Sequence, residues 1–215
     1  MKLGVLVSGR GSNLAAVLDA VGDGRLAGVE PALVISNRAG VAALGVAKDH
    51  GVSSLVLRRV DFADADARDA AIGRALATAG VELALLAGYD RMLGAGYFAA
   101  FGGRTINIHP SLLPRHGGRG MMGLAVHESV LAAGDRETGV TIHEVTRRLD
   151  DGPTLRQVRV PVRRGERAEE LAERVLVVEH ETLVRLLADL SRGGPNSESS
   201  ASMTGAPGAV DAVRG

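Results

Sequence analysis

Asn107 and His109 stand two apart in the segment Thr105-Ile106-Asn107-Ile108-His109-Pro110. Side chains two apart on a strand share a face, so an amide and an imidazole can serve one site. Imidazole titrates near neutrality and can give or take a proton, while an Asn amide can donate to a carbonyl oxygen that gains negative charge. Pro110 has no N–H for a sheet ladder and disfavours helix at His109, so the strand should end there, at a carboxyl edge where open parallel sheets bind ligands. A strand-end Asn and His that merely satisfy turn backbone groups are the alternative reading. An acid from the loop Leu149-Asp150-Asp151-Gly152-Pro153 could keep His109 protonated, although alone that loop reads as an ordinary Asp-Gly turn.

The second chemical feature is Ser8-Gly9-Arg10-Gly11-Ser12-Asn13-Leu14, a glycine-rich turn after an apolar run. Free N–H groups and the helix dipole at such a turn favour a phosphate. Leu14 stands where a dinucleotide fingerprint needs a third glycine, and Ser36-Asn37-Arg38 offers no ribose-binding acid, so NAD is disfavoured. With no Lys-Ser/Thr ending either, a phosphate monoester fits better than a nucleoside triphosphate. By itself the turn reads equally well as a strand-to-helix turn capped by Ser12 or Asn13.

These residues need a scaffold, and the pattern around them alternates strand and helix. Apolar runs at Leu3–Val7, Ala32–Ile35, Ser53–Leu57, Leu83–Ala87 and Thr105–Ile108 read as buried strands, with helical spacing at Leu14–Val21, Val41–His50 and Ala65–Ala79 between them. That order predicts an α/β fold with a mostly parallel central sheet flanked by helices. Gly139–Val145 and Leu155–Val162 predict strands of a less regular half, closed by a long helix over Glu166–Leu190. From Gly193 the composition turns to Gly, Pro, Ser, Asn and Ala without periodicity, which predicts a globular domain over 1–192 and a disordered tail over 193–215.

Composition narrows the chemistry. The chain has 215 residues, no Cys, and 25 basic against 25 acidic side chains, so thiol chemistry is excluded and no global field attracts a polyanion. Small-molecule substrates, with neither nucleic acid nor membrane as partner, are expected. The apolar run at the N-terminus is too short for a signal peptide or a span, which predicts a cytoplasmic protein. The six histidines show no metal-ligand spacing, and the expectation is no metal.

Val7-Ser8-Gly9-Arg10-Gly11-Ser12-Asn13-Leu14, Asn107-Ile108-His109-Pro110-Ser111-Leu112-Leu113-Pro114, and Gly139-Val140-Thr141-Ile142-His143 followed by Leu149-Asp150-Asp151-Gly152-Pro153 together resemble the phosphoribosylglycinamide formyltransferase family, in order and spacing, over residues 1–190. The resemblance implies a Rossmann-like formyltransferase fold and transfer of the formyl group of 10-formyltetrahydrofolate, a cosubstrate, to the amine of glycinamide ribonucleotide in IMP biosynthesis. It assigns Gly11, Ser12 and Asn13 to the substrate phosphate and Glu179 to the ribose hydroxyls. Asp90, Arg91, Met92 and Leu93 would line the pterin pocket with Asn107 and the loop Thr146, Arg147, Arg148, Leu149 and Asp150. Asn107, His109 and Asp150 would form the catalytic trio, with a protonated His109 and Asn107 stabilising the oxyanion and Asp150 raising the histidine's pKa.

Several positions depart from that pattern. Ala65 replaces a common folate-binding arginine, so that tail contacts come from another base such as Arg68 or are lost, and Asp90 replaces an apolar residue, which would put a charge beside the pterin pocket. Ala125 replaces a frequent histidine, and His127 is assigned no catalytic role. Related alternatives are methionyl-tRNA formyltransferase, which carries an added RNA-binding domain, formyltetrahydrofolate deformylase, which carries an added N-terminal domain, and a non-catalytic phosphate binder. Monomer and homodimer are both compatible.

Overall fold

The computed structural model describes residues 1–193; the tail expected over 193–215 lies, apart from Gly193, outside the described residues. The apolar runs form strands β1 (Lys2–Val7), β2 (Glu30–Ser36), β3 (Ser54–Val56), β4 (Leu83–Leu86) and β5 (Arg104–His109). Each pairs in parallel with its neighbour in the order β3-β2-β1-β4-β5. The less regular half supplies β6 (Glu137–Glu144) and β7 (Thr154–Pro161), which extend the sheet antiparallel beyond β5. The fold class is the α/β arrangement that the alternation predicts. Strand order reverses between β1 and β4, so the loops leaving those strands face a crevice at the carboxyl edge.

Helices α1 (Ser12–Gly22), α2 (Ala42–Asp49), α5 (Leu124–Ala132) and α6 (Ala168–Ser191) cover one face, and α3 (Ala65–Thr78) with α4 (Ala95–Ala100) covers the other. Alternation along each strand decides which side chain meets which layer. On β1, Val5 and Val7 join the α1/α6 core while Leu6 joins the α3/α4 core. α6 begins two residues later than the apolar pattern suggests, because Arg167 takes the cap position and its N–H donates to the Glu170 carboxylate at 2.9 Å. α4 has six residues, too few for a helical period to show in the sequence. Among the described residues no helix is long and apolar enough to cross a membrane.

On β5, Ile106 and Ile108 enter the α1/α6 core, so Thr105, Asn107 and His109 point to the opposite side. α4 covers only the beginning of that row, where the Tyr97 hydroxyl meets Thr105 Oγ1 at 2.7 Å. Asn107 and His109 lie farther along, beyond this cover, at the sheet's carboxyl edge.

Candidate active site

The turn after β1 is built on Gly11, whose φ of 81° is open to glycine at little cost. A Cβ there would also lie 2.7 Å from Ala43 Cβ, since α2 packs directly on the turn and the Ala43 N–H donates to the Gly9 carbonyl at 3.1 Å. Gly11 itself occupies the cap position of α1, and neither Ser12 nor Asn13 caps the helix with its side chain. Asn13 turns inward and donates through Nδ2 to Glu179 Oε1 at 3.4 Å. The early N–H groups of α1 therefore lack a side-chain cap, as an anion site requires. Burial pushes the Glu179 carboxyl up to about 7 against the lowering effect of the Asn13 bond, and Asn13 Oδ1 is buried with no partner among the described residues. A buried acceptor and a buried acid thus lie together beside the turn.

Asn107 and His109 are faced across the antiparallel ladder by His143 and Thr141. The Asn107 amide approaches His143 Nε2 at 3.1 Å, while His143 Nδ1 is 2.8 Å from the Glu144 carbonyl. A carbonyl can only accept, so the proton belongs on His143 Nδ1, and Nε2 can accept from Asn107. Thr141 Oγ1 donates to the Ser111 carbonyl at 2.7 Å and accepts from the Leu113 N–H at 3.1 Å, holding the loop that follows β5. That loop curls back so that His109 Nε2 donates to the His116 carbonyl at 2.9 Å. His109 Nδ1 has no hydrogen-bond partner among the described residues.

Asp150 follows β6 with φ of 51° and directs its carboxylate into the same region. Its Oδ2 accepts from the Gly118 N–H at 2.7 Å, and its Oδ1 lies 3.7 Å from His143 Nε2. No hydrogen bond joins it to His109. The Asp150 charge favours the His109 cation, but burial outweighs it and the His109 pKa falls below the ordinary value of 6.5. The sequence reading expects a protonated His109 whose pKa Asp150 raises; the Asp150 charge acts in that sense, the net direction is downward, and the bond to the His116 carbonyl places a hydrogen on Nε2. Burial did what the sequence could not reveal: His109 is 5% exposed.

Asp90 also differs from expectation. Its carboxylate turns to the end of β2, accepting from Asn37 Nδ2 at 2.7 Å and pairing with the Arg38 guanidinium, while its N–H donates to Ser8 Oγ at 3.0 Å. Burial opposes its ionised form, yet the bonds from Asn37 and Ser8 and the charges of Arg38 and Arg91 hold its carboxyl below the usual range. The charge that the resemblance would put beside a pterin pocket is thus paired with Arg38 between the β1, β2 and β4 loops. Beyond it, Arg91 and Met92 are exposed, but Leu93 is buried in the α3/α4 core with Tyr97. Arg68 is no substitute for a surface base, being 4% exposed and bonded through Nε to Asp69 Oδ1 at 2.9 Å.

In the loop after β6, Thr146, Arg147, Arg148 and Leu149 are exposed, and Thr146 Oγ1 ties the turn by accepting the Arg148 N–H at 3.1 Å. Gly152 lets the loop return, because a Cβ there would fall 1.8 Å from the Glu144 carbonyl oxygen. His127 sits on α5, buried, its Nδ1 with no partner among the described residues and its pKa lowered by burial and then by His109. His116, Ser129, Asp135 and His143 carry no role in the sequence reading, yet all four shape the surroundings of His109 or Asn107. Only the register of β5 on β6 and the path of the loop bring them there. Among the described residues no group of three or more His, Asp or Glu converges as metal ligands.

Residues 1–187 match the formyl transferase family. The chain is 36% identical over 180 residues to phosphoribosylglycinamide formyltransferase of Escherichia coli, covering 84% of this chain and 82% of that protein. It is 41% identical over 194 residues to the trifunctional purine biosynthetic protein adenosine-3 of Drosophila pseudoobscura, covering 89% of this chain but spanning only 14% of that protein's length. Among solved structures, glycinamide ribonucleotide transformylase 1 from Symbiobacterium toebii superposes with a TM-score of 0.83 at 37% identity, covering 90% of this chain and 88% of the other.

Proposed function

We propose that this chain, which belongs to the formyl transferase family and within it to the phosphoribosylglycinamide formyltransferases, moves the formyl group of 10-formyltetrahydrofolate to the amine of glycinamide ribonucleotide, a step of IMP synthesis. The observation that carries the reading is the state of His109. Its Nε2 is committed to the His116 carbonyl, its Nδ1 is left without a partner, and Asn107 stands on the same face of the strand. An imidazole whose cation is disfavoured by burial, with one open nitrogen, is suited to take a proton.

The substrate amine adds to the formyl carbon, forming the new C–N bond as the carbonyl pair moves onto oxygen. Asn107 has a second amide hydrogen, beyond the one given to His143, to donate to that oxyanion. His109 accepts the amine proton on Nδ1 and becomes a cation beside the new negative charge, and the Asp150 carboxylate favours that cation as it forms. Collapse of the adduct breaks the bond to the donor nitrogen, which takes the proton back through the imidazole or water. General acid–base assistance of this kind contributes on the order of a hundred to ten-thousandfold, and an oxyanion donor about a hundred to a thousandfold.

The N–H groups of Gly11, Ser12 and Asn13 bind the ribonucleotide phosphate, and Glu179 with Asn13 Oδ1 takes the ribose hydroxyls. Arg91, Met92, the backbone of Leu93, Asn107 and the loop Thr146–Asp150 receive the folate, with Asp90 acting as a brace beneath the first two. Spectroscopic measurement of the tetrahydrofolate product, with and without glycinamide ribonucleotide, tests the reading. Product only with the ribonucleotide is expected. Equal product without it would mean hydrolysis of the donor, and none in either case would leave a phosphate binder.

A further inference from the structure

The His116 side chain is held at both ends. Its Nε2 lies 2.8 Å from Asp135 Oδ2, its Nδ1 lies 2.8 Å from Ser129 Oγ, and the ring is largely buried. Asp135 is kept ionised first by that bond to His116, so the carboxylate is a full acceptor for the Nε2 proton. Ser129 lies on α5 and Asp135 follows it, so the anchor belongs to a helix packed on α6 and not to the loop itself.

The backbone at this residue is unusual as well. His116 has φ of 54°, a left-handed conformation that is unfavourable for a non-glycine residue. Side-chain anchoring offsets that cost, and the conformation aims the main-chain carbonyl at His109 Nε2. Ser111 Oγ, donating to the Arg115 carbonyl at 2.7 Å, fixes the loop from the other side. Two residues on, the Gly118 N–H donates to Asp150.

The geometry points to His116, clamped by Ser129 and Asp135, as a positioning residue that sets the tautomer of His109 through its own carbonyl. A carbonyl can only accept, so the ring nitrogen facing it must carry the hydrogen, which keeps the proton on Nε2 and leaves Nδ1 as the basic nitrogen. Were the loop released, the His109 ring could exchange tautomers or turn, and the nitrogen facing the substrate would carry a proton part of the time. The consequence for turnover rests on the function proposed above; the tautomer itself does not.

The test therefore reads both. Two-dimensional 15N NMR of histidine side chains in the full chain reports the His109 tautomer with no substrate present. His109 should be the Nε2–H form in the wild type and a mixture in His116→Gly, which tolerates the same φ but removes the ring. Asp135→Ala should behave likewise, and Asp135→Asn, which keeps an acceptor oxygen, should restore the wild-type signature. With glycinamide ribonucleotide and 10-formyltetrahydrofolate, kcat should fall about tenfold in the two disrupting variants, the equivalent of one hydrogen bond, with KM for the ribonucleotide within about twofold. If His116→Gly does not fold, Ser129→Ala gives the same readout with a smaller lesion. An Nδ1–H tautomer in the wild type, or an unchanged Nε2–H tautomer in the disrupted variants, overturns the proposal. An altered tautomer without any formyl transfer in the wild type would sustain it and sink the assigned reaction instead.

Discussion

Asp150 Oδ1 lies 3.7 Å from Nε2 of His143, the residue that also receives the Asn107 amide at 3.1 Å. One buried imidazole thus stands between the proposed oxyanion donor and the carboxylate. His143→Phe keeps the ring volume and removes both nitrogens, so Asn107 loses its acceptor and its orientation. A fall in single-turnover formyl transfer of about tenfold to a hundredfold is expected, smaller than for direct loss of an oxyanion donor. Wild-type transfer in this variant would show that Asn107 is held by something else.

His109 should govern the acid side of the pH–rate profile. Burial holds its pKa below 6.5, so its neutral form persists on acidification until that lower value is reached. The acid limb of kcat/KM should accordingly have its midpoint below 6.5 and vanish in His109→Ala, whose residual rate should be lower by roughly a hundred to ten-thousandfold. Calorimetry should find ribonucleotide binding to that variant nearly intact, because the phosphate turn is a separate element.

Glu179 makes an opposite contribution to stability. Its folded pKa of about 7 exceeds the unfolded value of 4.5, so the folded state binds the extra proton between these values. Stability from this group is complete below 4.5 and is lost as pH rises through 7, by up to about 3 kcal/mol. Urea melts of wild type and Glu179→Gln at pH 5 and pH 8 should differ in this sense: the variant should lack that part of the decline. A decline of the same size in both proteins would locate it elsewhere.

Gly152→Ala should disturb structure and turnover together. The added methyl meets the Glu144 carbonyl oxygen at 1.8 Å, and backbone must move to relieve it. An overpacking cost of about 1–3 kcal/mol is expected in denaturant unfolding. Since Asp150 lies two residues away, kcat should fall even at temperatures where the variant is fully folded.

Asp90→Ala should distinguish a brace from a folate contact. Loss of the carboxylate leaves Asn37 and Arg38 without their shared partner, and Arg38 also donates to the Ser8 carbonyl, while the main-chain bond from residue 90 to Ser8 Oγ is kept. KM for the ribonucleotide should rise several-fold, on the scale of one to two hydrogen bonds at about 1 kcal/mol each, and more than KM for the donor. The reverse order in steady-state kinetics would return Asp90 to the pterin side.

The sequence by itself determined the α/β layering, the strand that carries Asn107 and His109, and the glycine-rich turn, because hydrophobic period, Pro110 and Gly11 are local signals. It also determined the family, since the Asn-Ile-His-Pro segment and the Asp-Asp-Gly-Pro loop keep their order along the chain. Only the tertiary structure decided that Asp150 meets His143, that Asp90 faces Arg38, that Arg68 is buried against Asp69, and that His116 offers its carbonyl to His109. Those relations depend on strand register and on how far each group is removed from water, and both are set by segments distant in sequence. The downward shift of the His109 pKa arises the same way: desolvation outweighs the His116 carbonyl and one nearby carboxylate, a balance that no local pattern of residues encodes.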